Sequence, residues 1–130
     1  MLNHFMIGSN DIERTKAFYN KVLAVLGCGE ARVNVNDTGQ TRLFYAHNGH
    51  TFSISEPING EPTKPSNGST IGFVCDSPEQ VVALHDTAIA AGGTSVEDPP
   101  GPREGNMGVM HLCYFLDPDG HKICGVYRPG

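Results

Sequence analysis

Six histidines, four cysteines and 14 acidic residues are the groups in this 130-residue sequence that can carry chemistry. His111 stands out on pattern alone. It lies in the apolar run Val109–Leu116. Strand alternation places it with Cys113 and Phe115 on one face, and Met110, Leu112 and Tyr114 on the other. An imidazole that faces a pocket titrates near neutrality, so His111 is a candidate acid or base. Glu56 ends the run Thr51–Ser55 and is a second candidate base. Arg103, in Pro99-Pro100-Gly101-Pro102-Arg103, is a candidate fork for an anionic substrate, because a guanidinium offers paired donors to an oxyanion. His47 and His50 flank Asn48-Gly49 and read as turn residues. His85 reads as a structural helix residue, and His121 as a solvated one after the final turn.

The cysteines point away from metal. Cys28 follows a helix, while Cys75, Cys113 and Cys124 sit in strand-like apolar runs without any Cys-x-x-Cys pair. Buried, reduced thiols in a cytoplasmic protein are expected, not a structural zinc site. Nine basic residues against 14 acidic ones give a net charge of -5, with no basic stripe. Nucleic acid is therefore not an expected partner. Apolar runs stop at four or five residues, far short of the roughly 20 that span a bilayer, so no membrane partner is expected either. The start, Met1-Leu2-Asn3-His4, shows no export signal.

The elements that must position these groups are written twice. Shifting the sequence by 66 residues sets His4–Gly27 on Thr70–Gly93, with Ala17 on Ala83 and Gly27 on Gly93. In each half a short strand leads to a capped amphipathic helix. Ser9 or Asn10 is the expected cap of the first. Asp76-Ser77-Pro78-Glu79-Gln80 supplies a cap, an early proline and a capping-box glutamine for the second. Strands are expected at Ala31–Asn36, Thr41–Ala46 and Thr51–Ser55, then at Thr94–Glu97, Val109–Leu116 and Lys122–Tyr127. The fold class that follows is α+β. Two βαβββ modules, about 1–56 and 69–130, flank a Pro/Gly/Asn-rich linker at about 57–68 and form a cup-shaped cleft, with the helices outside.

Three segments carry a resemblance. They are His4 with Asp11-Ile12-Glu13-Arg14-Thr15-Lys16-Ala17-Phe18-Tyr19, the Pro99–Arg103 loop, and Asp117-Pro118-Asp119-Gly120-His121-Lys122-Ile123. In order, on a duplicated βαβββ pattern, they resemble the vicinal oxygen chelate superfamily. That superfamily includes glyoxalase I, extradiol dioxygenases and the bleomycin- and fosfomycin-resistance proteins. The final turn also has a purely structural explanation, since Asp-Pro, Asp119 and Gly120 suit a tight turn.

The resemblance implies a site. Metal-dependent relatives hold a divalent ion with side chains from the first and last strands of the modules. Those positions fall on His4 and Thr70, where relatives often carry histidine, and on Ser53 and Cys124, where a glutamate is typical of the last strand. A catalytic Lewis-acid ion needs about three firm ligands. The set His, Ser, Thr and Cys is a degraded version of that, with His4 and Cys124 the possible metal ligands. Zinc, nickel, iron or manganese is thus possible, and no cofactor is the leading expectation. In the enzymatic reading His4 is the essential catalytic residue, helped by His111 or Glu56. Arg103, Ser53 and Thr70 then bind substrate, and the reaction is that of a lyase resembling lactoylglutathione lyase, an isomerase or a dioxygenase on a small oxygenated molecule. The alternative is a metal-independent binding protein that sequesters a small ligand against Phe44, Tyr45, Tyr114, Phe115 and methionines. A third is a structural dimer with a vestigial pocket. Sheet edges left bare by each module predict a homodimer.

Overall fold

The computed structural model describes residues 1–129. Each half opens with a strand and a helix set by its cap. The first helix, α1 (Ile12–Ala24), starts at Asp11, whose carboxylate accepts from the Arg14 amide at 3.1 Å. Ser9 and Asn10, the expected caps, are used elsewhere: Ser9 accepts from the Asp11 amide and shares a 2.5 Å hydrogen bond with Thr15. A charged carboxylate answers the positive helix end better than either. The second helix, α2 (Pro78–Ala90), is capped by Ser77, and Gln80 reaches back to the Asp76 amide. Gly27 and Gly92 follow the two helices with φ of +86° and +110°, where a side chain would be strained.

The first sheet contains β1 (His4–Gly8), β2 (Arg32–Val35), β3 (Thr41–His47) and β4 (His50–Ser55), in the order β1-β4-β3-β2. The second contains β5 (Ile71–Val74), β6 (Thr94–Ser95), β7 (Gly101–Gly105), β8 (Gly108–Leu116) and β9 (Lys122–Tyr127), in the order β5-β9-β8-β6, with β7 also on β8. In each sheet the first strand runs parallel to the last and the other pairs are antiparallel. This is the expected α+β duplication, with one strand more. The Pro99–Arg103 segment was expected as a loop, yet from Gly101 it joins β8 as a hairpin that turns at Gly105–Gly108. The strand expected at 94–97 stops at Ser95, because Glu97 takes φ +60° and prolines follow.

The helices α1 and α2 touch each other. The sheet faces that carry the helices merge into a common core. Phe18 of α1 meets Phe115 of β8 edge-on, and Phe52 of β4 meets Phe73 of β5. Leu43, Ile54, Leu84 and Ile123 are all sealed within it. Fully burying such side chains is worth about 1.5–3 kcal/mol each.

A polar clamp fixes the modules to one another. Asp117, 3% exposed, accepts from the Tyr19 hydroxyl at 2.6 Å and from the amides of Asp119 and His121 at 3.0 Å. Asp119 accepts from Arg14 at 2.7 Å and from the Asn10 amide and Thr15 hydroxyl at 3.2 Å. His121, expected to be solvated, donates through Nε2 to the Gly8 carbonyl at 2.8 Å. Burial pushes the Asp117 carboxyl above the usual carboxylate range, against the pull of the Tyr19 hydrogen bond and of His121.

Two outcomes follow from this packing. Tyr19→Phe should cost about 1.5–3 kcal/mol in chemical denaturation, since it strips a buried charge of a donor. It should also raise the Asp117 carboxyl further in an NMR titration. Between the ordinary carboxyl range and that raised value the folded chain binds more protons than the unfolded one. The Asp117 contribution to stability therefore falls as pH rises through that window, and the variant should widen it. Gly125→Ala should destabilise by about 1–3 kcal/mol through overpacking. A Cβ there would lie 2.8 Å from Leu84 Cδ2 and 2.9 Å from Cys113 Sγ, and denaturation midpoints measure the loss.

Candidate functional site

Because Leu43, Tyr45, Phe52 and Ile54 turn inward, alternation sends their neighbours to the opposite face of the first sheet. The register sets Arg32, Phe44, Ser53 and Met6 in one row across four strands, and Asn34, Arg42, Ser55 and Gly8 in the next. His4 lies beside Thr51 on the same face. Its exposed ring is held by a 2.8 Å hydrogen bond between Nδ1 and Asn3 Oδ1. Ser53 is fully buried, and its hydroxyl has no hydrogen-bond partner.

The second sheet divides in the same way. Cys113, Phe115, Ile123 and Gly125 face α2, leaving Gly72, Tyr114, Cys124 and Val126 on the outer face. Thr70, just before β5, is exposed. Burial pushes the Cys124 thiol up, partly offset by a Tyr114 hydrogen bond, and Cys113 and Cys75 reach about 12 and about 11 for the same reason. These buried thiols are poor nucleophiles at neutral pH.

A cleft of about 430 Å³ lies between the modules. Phe5, Tyr45, Phe52 and Phe73 give it an aromatic lining, and His4 and Thr70 both border it. Ser53 and Cys124 do not line it. The structure therefore brings His4 and Thr70 to one cavity, and sets Ser53 and Cys124 on the outer faces of separate sheets. Of the four aromatics expected to form a pocket, Phe44 and Tyr114 face outward. Phe115 is sealed in the core, and Tyr45 forms part of the cleft floor.

The remaining candidates are placed by their partners. His111 lies on the helix side of its sheet, next to Tyr127 with ring centroids 6.0 Å apart. Glu56 accepts from the Thr41 amide at 2.7 Å and ties off the end of β3. Arg103 folds onto its own loop, donating to the carbonyls of Asp98, Pro99, Gly101 and Pro102 at 3.0–3.4 Å. Arg32 and Arg42 were not singled out in the sequence. The signal was there in Thr41-Arg42-Leu43-Phe44-Tyr45, whose alternation sets Arg42 and Phe44 on one face.

The donor set does not fit a divalent catalytic ion at these four positions. It offers one exposed imidazole, two neutral hydroxyls and one buried thiol, with no carboxylate. Among the described residues no three His, Cys, Asp or Glu side chains gather in metal-binding geometry.

Comparison with known proteins places this fold. Against a curated protein named as a probable lactoylglutathione lyase from Vibrio cholerae, the chain is 28% identical over 123 residues, covering 92% of this chain and 85% of the relative. A crystal structure of a glyoxalase/bleomycin resistance protein from Albidiferax ferrireducens superposes with a TM-score of 0.90 at 47% identity, covering 98% of this chain and 99% of the other. A fosfomycin resistance protein from Listeria monocytogenes, solved with Mn(II) and 1S,2S-dihydroxypropylphosphonic acid, shares the fold at a TM-score of 0.71. It is 18% identical, over 99% of this chain and 93% of that one. The family model of the same group matches residues 1–124, and the chain belongs to the Glyoxalase/Bleomycin resistance protein/Dioxygenase superfamily.

Proposed function

We propose that this chain binds a small apolar or aromatic molecule in the cleft between its modules, without a divalent ion at the superfamily's ligand positions. The aromatic-lined cleft of about 430 Å³ carries the reading, since that volume suits a small organic ligand. His4 and Thr70 supply polar groups at its border to orient the ligand. The donor set described above supports the metal-free part. A lyase reading is favoured by the name of the Vibrio cholerae relative, and it requires a metal or a substitute for one.

The two readings separate in one preparation. After dialysis against a chelator, the protein should still bind the neutral fluorophore N-phenyl-1-naphthylamine saturably. His4→Ala should weaken that binding by only about 1–2 kcal/mol, the scale of one lost hydrogen bond. Stoichiometric zinc, nickel, iron or manganese in the protein as purified, with lactoylglutathione lyase activity that His4→Ala abolishes, would establish the lyase instead.

Assembly as a homodimer is part of this proposal. Both β1 and β5 are edge strands, and Phe5, Met6 and Val74 are exposed beside them, Val74 at 80%. A second copy that covers these edges would also wall the cleft, whose lining includes Phe5 and Val74. Light scattering should give twice the 13.9 kDa of one chain, and Val74→Lys should shift it toward a single chain.

A further inference from the structure

The outer face of the first sheet has an unusual charge pattern. None of the four strands contains an aspartate or glutamate, although the chain has 14 acidic residues. Arg32 and Arg42 both lie on this face, with guanidinium carbons 5.4 and 5.7 Å from the centroid of the Phe44 ring. Neither takes part in any of the ion pairs among the described residues, which use Arg14, Lys16, His85 and Lys122. Arg42 reaches only Asn34, through a long 3.4 Å contact, and its Nε is buried without a partner. The Ser53 hydroxyl, opposite Phe44 in the register and sealed from solvent, is the second orphan.

Each feature costs free energy. A buried N–H or O–H without a partner keeps its desolvation penalty. Two cations on one ring repel, and the ring quadrupole offsets only part of that. Arg103 shows the contrast, since its guanidinium is saturated by loop carbonyls.

We infer that this face is an oxyanion site for the carboxylate or phosphate head of a small molecule. Arg42 and Arg32 offer paired donors to its oxygens. Phe44 supports both guanidinium groups in place before the ligand arrives. The site is separate from the cleft, because Arg32, Arg42, Phe44 and Ser53 do not line it. His4, on the same face and at the cleft border, is the residue the two share.

Titration of the intact chain with inorganic phosphate and with acetate, each against chloride at matched ionic strength, tests this by NMR. The Arg42 Nε–H and the backbone amides of Phe44 and Ser53 should move saturably, with a midpoint near about 1 mM for the preferred anion. Saturation by phosphate alone assigns a phosphoryl head, and saturation by acetate alone or by both assigns a carboxylate-compatible one. Arg42→Gln should weaken binding about tenfold or more, and Arg32→Gln by a smaller factor. Arg42→Lys keeps the charge and loses the fork, so it should recover only part of the affinity. All variants should retain N-phenyl-1-naphthylamine binding, which separates failure of this site from failure of the cleft and shows that the fold survives. Shifts that stay linear, match chloride, or persist unchanged in Arg42→Gln would overturn the inference.

Discussion

Two carboxylates on one turn hold the molecule in its shape. Asp117 and Asp119 sit between β8 and β9, yet their strongest partners, Tyr19 and Arg14, lie on α1 of the other module. His121 adds a third link, to the end of β1. The turn takes its tight geometry from Asp117, Pro118 and Gly120, with Gly120 at φ +93°, and that geometry leaves both carboxylates free to reach across. Without it, the two modules would share mainly apolar contacts, which fix separation better than angle, and the hydrogen bond from Gln80 to the Val25 carbonyl at 2.9 Å. The clamp sets which strand edges stand side by side, and so where a cleft can open.

The core explains why functional groups lie where they do. Both helix-bearing faces are consumed by packing, including the buried thiols of Cys75 and Cys113, which flank the space left by Gly125. Side chains on those faces, His111 among them, are committed to neighbours. The outer faces carry no such duty. Residues there change without loss of core, which is how one scaffold can carry unrelated chemistries.

Much of this was legible from sequence because it is local. The Ser77 cap, the glycine stops and the alternation of β8 depend on neighbours a few residues away, and the 66-residue repeat exposed the two modules. Other features depend on partners far along the chain. The Asp119 carboxylate read as a local turn ligand because nothing in Asp117–Ile123 points to Arg14, 105 residues away. Arg103 read as an anion fork because the path of its own loop, which saturates it, is not encoded by spacing. β7 was missed because prolines mask strand pattern, although Pro102 sits in register opposite His111. At the site, the resemblance and the 66-residue repeat picked out His4, Ser53, Thr70 and Cys124, but the packing angle between modules decides which of them meet.

Ser53 shows how one position can reverse the character of a face. Relatives of the metal-dependent kind typically place a glutamate at the position that the resemblance assigns to Ser53 and Cys124. A carboxylate at 53 would lie one strand from Phe44 and within the reach of the arginines that rest on it. An ion pair at 4 Å is worth about 4 kcal/mol before desolvation at a surface-like dielectric of about 20. It would neutralise one guanidinium and favour a cation nearby. With serine there, the two guanidinium charges stand unopposed across strands that contain no acid. If the inferred oxyanion site holds, the face that the resemblance links to a metal ion attracts negative charge in this chain instead.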